Sequence, residues 1–153
     1  MGSFCFRYAH IVTVFWITFV LAISFFETPL KFTSPMVSTE IGVSIGMILF
    51  PKLNLLEWIL GTILLGCHFR HLIFPPTSLL AVITLLSIQS FYLLPELHDR
   101  AQALITGQPL AYSFHHHAFV GVEVLKIILL ITLVIHQIKF YETNSNKIKK
   151  TII

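Results

Sequence analysis

Apolar residues run almost without interruption over 10–26, 52–69, 76–94 and 114–137, with polar and proline-containing segments between the runs. At 1.5 Å per residue even the shortest run makes about 25 Å of helix, close to the thickness of a bilayer's hydrocarbon core. Four transmembrane helices are therefore predicted. Pro29 and Pro35 interrupt the chain after the first, and Ser34, Ser38 and Thr39 offer N-caps for a short amphipathic piece over 40–50. Gly42, Ser44 and Gly46 suit that piece to close packing or to the membrane interface. Pro51 fits the first turn of the second span, Pro75 and Pro76 start the third, and Pro95 reads as its stop. The stretch 96–107 reads as a polar surface helix with a glycine stop, and the Asn- and Lys-rich tail 141–153 as disordered. The fold class expected is all-α: residues 1–140 form one polytopic membrane four-helix bundle, with an extra short interfacial helix before the second span.

The polar residues inside the spans are not scattered. At 100° per residue, His10, Thr13, Ile17, Val20, Ser24 and Glu27 share about a third of the first helix's circumference. The same construction collects Asn54, Glu57, Gly61, Leu64, His68 and His71 on the second span, and His116, Phe119, Glu123, Lys126 and Leu130 on the fourth. The third has a milder stripe of Thr77, Thr84, Ser87 and Phe91. Hydrocarbon offers no partner to a charged group, which costs roughly 2.5–3.5 kcal/mol at a helix centre on insertion scales, so these stripes are expected to face one another. Two polar layers follow: Glu27, Glu57, His116 and Glu123 with Lys126 near the middle, and His10, His68 and His136 at the other end. Arg7 before an apolar run, with Ala22-Ile23-Ser24 after it, also matches a cleavable signal peptide. Such a peptide has no need of a polar face, which favours a retained helix.

Candidate chemistry centres on Glu27, Asn54, Glu57, His116, Glu123 and Lys126. One reading is an ion-paired staple that fixes which helices are neighbours. The other is a proton or cation site, in which a carboxyl binds and releases a proton while Lys126 tunes it. Glu27 lies near enough to the interface for Lys31 or Arg100 to satisfy it, and Lys31, Glu96, His98, Asp99 and Arg100 form a second cluster in the loops. His115, His116 and His117 offer imidazoles for zinc or copper, but consecutive helical residues point about 100° apart, so a snorkelling interfacial cluster is the plainer reading. His10, His68 and His136 invite a bis-histidine haem, although His136 lies off the Glu123 face. Cys5 and Cys67 have no CxxC spacing and read as small, buried, reduced side chains.

Composition agrees with this picture. The 153 residues are 56% hydrophobic and 11% charged, with a mean hydropathy of +0.84, far from the roughly one-quarter charged content of soluble domains. The net charge of +3 forms no basic stripe or reader motif, which argues against nucleic acid. It fits membrane topology instead. Arg7, Arg70, Lys139, Lys147, Lys149 and Lys150 fall on one side of a four-span chain and Lys31, Lys52 and Arg100 on the other, so both termini are expected in the cytoplasm. No nucleophile-plus-base motif or phosphate-cradling loop is present, so soluble-type catalysis is not expected. A bundle this small leaves little room for a substrate pathway, which suggests a homo-oligomer or a larger membrane partner.

The segment Glu27-Thr28-Pro29-Leu30-Lys31-Phe32 resembles an uncharacterised family of small bacterial four-helix membrane proteins. The resemblance extends to Ile41-Gly42-Val43-Ser44-Ile45-Gly46, to Leu53-Asn54 with Glu57, to Leu94-Pro95-Glu96-Leu97-His98-Asp99-Arg100, and to the His-rich start of the fourth span with Glu123 and Lys126. It implies four spans and an inner-membrane setting, and no substrate.

Overall fold

A computed structural model describes the backbone of residues 2–70, 75–108 and 114–152, with side chains over 8–69, 75–108 and 114–143. The first rod is α1 (Gly2–Val20), a widened π turn (Leu21–Glu27) and α2 (Thr28–Lys31). The second is α3 (Thr39–Arg70), unbroken. The third is α4 (Thr77–Ile88), a π turn (Gln89–Leu93) and α5 (Leu94–Ile105), and the fourth is α6 (His115–Ile152). All four rods contain helix long and apolar enough to cross a membrane.

Proline shapes these rods without stopping them. Each π turn ends just before a proline, Pro29 or Pro95. A proline ring lacks an N–H and collides with the carbonyl four residues back; a turn wider by one residue absorbs both problems. Pro95 therefore does not end the third span, which continues into α5. Pro51 sits inside α3, so the piece at 40–50 is helical but is the first part of the second rod, not a separate interfacial helix. Breaking a helix in hydrocarbon would strand backbone donors and acceptors, so bending is less costly than stopping. Glycine does end α5: Gly107 has φ 70°, and the N–H of Gln108 reaches back to the carbonyl of Ala103 at 3.0 Å, the left-handed cap that glycine adopts without penalty. At the other end, α6 runs to Ile152 through the segment read as a disordered tail.

In cross-section α1 packs on α3 and α6, and α4 packs on the same two, which sets α3 and α6 across a diagonal. Trp16 and Val20 from α1, Leu60 and Leu64 from α3, Val82 and Leu86 from α4, and Leu130 and Leu133 from α6 form the core. Gly61 makes the crossing possible, because a Cβ there would stand 2.7 Å from Ile83 and 3.1 Å from Trp16. Outside, the pattern is inverted relative to a soluble bundle: Phe15, Ile48, Leu55, Phe91 and Ile128 are exposed, as lipid-facing side chains should be.

Candidate functional site

The buried stripe of α3 reads Leu53, Glu57, Leu60, Leu64, and that of α6 reads Phe119, Glu123, Lys126, Leu130, Leu133. Both follow the three-and-four spacing of one helix face, so the polar residues occupy positions that in any other bundle would be leucines. Glu57, Glu123 and Lys126 are 2%, 1% and 0% exposed. The Lys126 ammonium donates to Glu57 Oε1 at 2.6 Å and to Glu123 Oε1 at 3.3 Å. The shorter bond spans the diagonal of the bundle, and the longer lies within α6.

The remaining two rods complete the cluster. Trp16 Nε1 donates to Glu57 Oε1 at 2.9 Å, and Gln89 Nε2 donates to Glu123 Oε1 at 3.0 Å. Every span thus contributes at least one donor or acceptor, and α6 contributes two residues. Two carboxylates and one ammonium leave one negative charge in excess; a single proton brings the sum to zero. Glu123 Oε2 and Gln89 Oε1 are buried without a hydrogen-bond partner among the described residues. Both are acceptors, so the cluster is short of hydrogens and not of lone pairs.

Glu123 also forms part of the wall of a cavity of about 670 Å³ at the end of the bundle away from the two termini. Phe25, Met47, Phe50, Leu97 and Phe119 give it a mostly apolar surface, while Lys31, His98, Arg100 and His116 line it too. The ion-paired layer is therefore closed toward the termini by the apolar core and adjoins a cavity on the other side.

Of the polar residues singled out in the sequence, Glu57, Glu123 and Lys126 come together, and the others go elsewhere. Asn54 accepts from Ser90 at 3.0 Å, which in turn accepts from Trp58 at 2.9 Å, a separate strap between α3 and the second π turn. Glu27 takes the Lys31 ammonium one turn along its own rod at 3.3 Å. His116 is exposed and does not join the buried layer. Within the loop cluster, Lys31, His98 and Arg100 reach the cavity, whereas Glu96 and Asp99 are exposed and outside its lining. The three consecutive histidines diverge: His115 lies against Tyr92 and His117 against Phe114, each at 6.0 Å between ring centres. Among the described residues no three His, Cys, Asp or Glu side chains group to hold a metal.

The second polar layer is built differently from the expectation. Thr13 donates to Gln137 at 3.0 Å, His68 Nδ1 lies 2.9 Å from the Leu64 carbonyl, and the buried His10 Nδ1 has no partner among the described residues. His136, the third imidazole of the haem reading, is exposed. Cys67 is disulfide-bonded and not a reduced thiol. His71 and the Arg70 side chain lie outside the described residues.

Three residues of these layers escape the sequence reading. Gln89 continues the buried stripe Leu79, Val82, Leu86, so its 3.6-residue periodicity was the available signal. Gln137 likewise extends Leu130 and Leu133. Trp16 gave no such signal, since an indole at membrane depth reads as packing until its N–H is seen to meet a carboxylate. No protein-family model, curated protein or solved structure matches the chain.

Proposed function

We propose that this membrane protein handles a proton at the Glu57–Lys126–Glu123 cluster, with Glu123 as the exchanging group. The observation that carries the reading is the uneven charge of a buried layer: Glu123, whose Oε2 has no donor among the described residues, lines a cavity, and one proton is what neutrality requires. A buried ion with no counter-charge costs several kcal/mol, so the cluster favours holding that proton. Glu57 is the less suitable carrier, because Lys126 holds it at 2.6 Å against 3.3 Å for Glu123, and among the described residues it is Glu123 whose second oxygen is buried without a partner. The test is proton flux in proteoliposomes carrying an internal pH dye, with an imposed gradient. Wild-type vesicles are expected to exceed protein-free vesicles, and Glu123→Gln to fall to background while keeping its helical circular dichroism. Equal flux from Glu123→Gln and wild type would discard the reading.

The rival is a structural staple, favoured by the fact that all four rods contribute to one hydrogen-bonded layer. It predicts that Glu57→Gln combined with Lys126→Met restores the stability either change removes, and that no flux exists to lose. Glu57 must be exchanged with Lys126, and not Glu123 with Lys126, because the diagonal pair is the shorter one.

For the setting we infer a bacterial inner membrane with both termini in the cytoplasm, supported by the lysine and arginine distribution between loops and in keeping with the family resemblance. The cavity then faces outward. The disulfide at Cys67 pulls the other way, since such bonds persist in oxidising compartments. A reporter enzyme active only in the cytoplasm, fused after Ile153, separates the two.

A further inference from the structure

Lys31 sits at the end of a transmembrane rod, where a long basic side chain ordinarily snorkels out to the headgroups. It does the opposite. Its side chain is only 8% exposed, and its ammonium lies 3.8 Å from the point where a Cβ on Gly46 would stand, against the cavity-lining face of α3. Gly42, one turn earlier on that face, has the Phe32 ring seated where its own Cβ would be. Gly42 thus lets Phe32 fold back onto α3, an arrangement any larger residue there would displace, while a Cβ at Gly46 would meet the Lys31 ammonium at ordinary contact distance. Glu27 engages the ammonium by one bond at 3.3 Å, and an ammonium has three donors.

Arg100 and His98 from α5 and His116 from α6 line the same cavity. Basic groups from three elements therefore share a mostly apolar chamber, with Glu123 in its wall, whose size, about 670 Å³, falls in the range of small-molecule sites. A soluble anion would leave the phenyl walls unpartnered, and a neutral or cationic ligand would leave the Lys31 ammonium with Glu27 and the Phe32 ring as its partners and no use of its remaining donors. We propose that the cavity binds an anionic amphiphile, with an oxyanion head held by Lys31 and Arg100 and one apolar chain lying among Phe25, Phe50 and Phe119. The inference does not rest on the proton reading, although Glu123 lines the same chamber; binding is scored at Lys31, Arg100 and Met47, and flux at Glu123, so either can fail without the other.

The test uses the full-length protein in a neutral maltoside detergent, with binding followed by native mass spectrometry and by the shift in unfolding temperature. Dodecyl phosphate is expected to bind saturably, and dodecyl glucoside and inorganic phosphate are not. Lys31→Gln with Arg100→Gln is expected to weaken dodecyl phosphate by about tenfold or more, the loss of at least one charge-assisted bond. Met47→Trp, which fills the chamber and keeps both cations, should reduce binding as well and serves if the charge variant fails to fold. Phosphatidylglycerol retained over phosphatidylcholine would identify the occupant as a bilayer lipid, while dodecyl phosphate alone would identify a free amphiphile; both support the site. Equal binding of dodecyl glucoside, binding of inorganic phosphate as tight as that of dodecyl phosphate, no binding at all, or Met47→Trp without effect would overturn it.

Discussion

Among the described residues the side chains of Lys126 and Lys31 are both withdrawn from the surface, and their surroundings differ. Lys126, wholly buried at the centre, has a carboxylate at 2.6 Å and another at 3.3 Å. Lys31, at the bundle's end, has one half-exposed carboxylate at 3.3 Å and a cavity beside it. The contrast shows what each location demands. In a dry interior an ammonium is tolerated only when its charge is answered within bonding distance, so the Lys126 site is saturated with acceptors. At the cavity, part of the ammonium's bonding capacity is left for something else, and that makes Lys31 a binding group where Lys126 is a fixed one.

The comparison is most exposed to substitution at Lys126. Lys126→Met strands two buried carboxylates and is expected to lower stability by about 3–5 kcal/mol, read as the loss of a cooperative thermal transition in detergent. Adding Glu57→Gln should return most of that, since Glu123 can then hold a proton; failure to recover would mean that the diagonal pair is not the dominant contact. Trp16→Phe leaves a smaller aromatic ring, removes one bond to a charged acceptor and opens a void beside Gly61, with an expected cost of at least about 1.5–3 kcal/mol in the same measurement.

Smaller effects belong to the neutral and open regions. Thr13→Val cuts the bond to Gln137 and should cost about 0.6 kcal/mol, the average for polar contacts between membrane helices. Lys31→Gln breaks an i,i+4 pair at the membrane edge and should cost roughly 0.3–0.5 kcal/mol of stability. A loss at Lys31 as large as that at Lys126 would erase the distinction between the two sites.

Much of this was legible before any coordinates. Glu57, Glu123 and Lys126 stand at core positions of their helical wheels, and lipid leaves such residues nowhere else to turn. Gln89 and Gln137 stood at equally informative positions, but an amide needs a hydrogen bond and not a counter-ion, so its partner is not specified by the pattern of charges. The prolines misled for a different reason. In water Pro95 would be a sound stop, because solvent satisfies the groups a broken helix exposes; in hydrocarbon the same residue is absorbed by a π turn, and the rod goes on. The cavity could not be anticipated, since it depends on Lys31 and Phe32 folding back over Gly42 and Gly46, and on α5 continuing the third rod.

The diagonal bond also bears on biogenesis. Glu57 and Lys126 lie 69 residues apart on helices that are not neighbours, so the acid must enter the translocon well before its counter-ion has been synthesised. Until the last span arrives, the second helix carries a carboxyl without its counter-ion, to be answered by Trp16, by protonation or by a chaperone. Nascent chains arrested short of Lys126 should therefore be removed faster by membrane proteases than those arrested just beyond it.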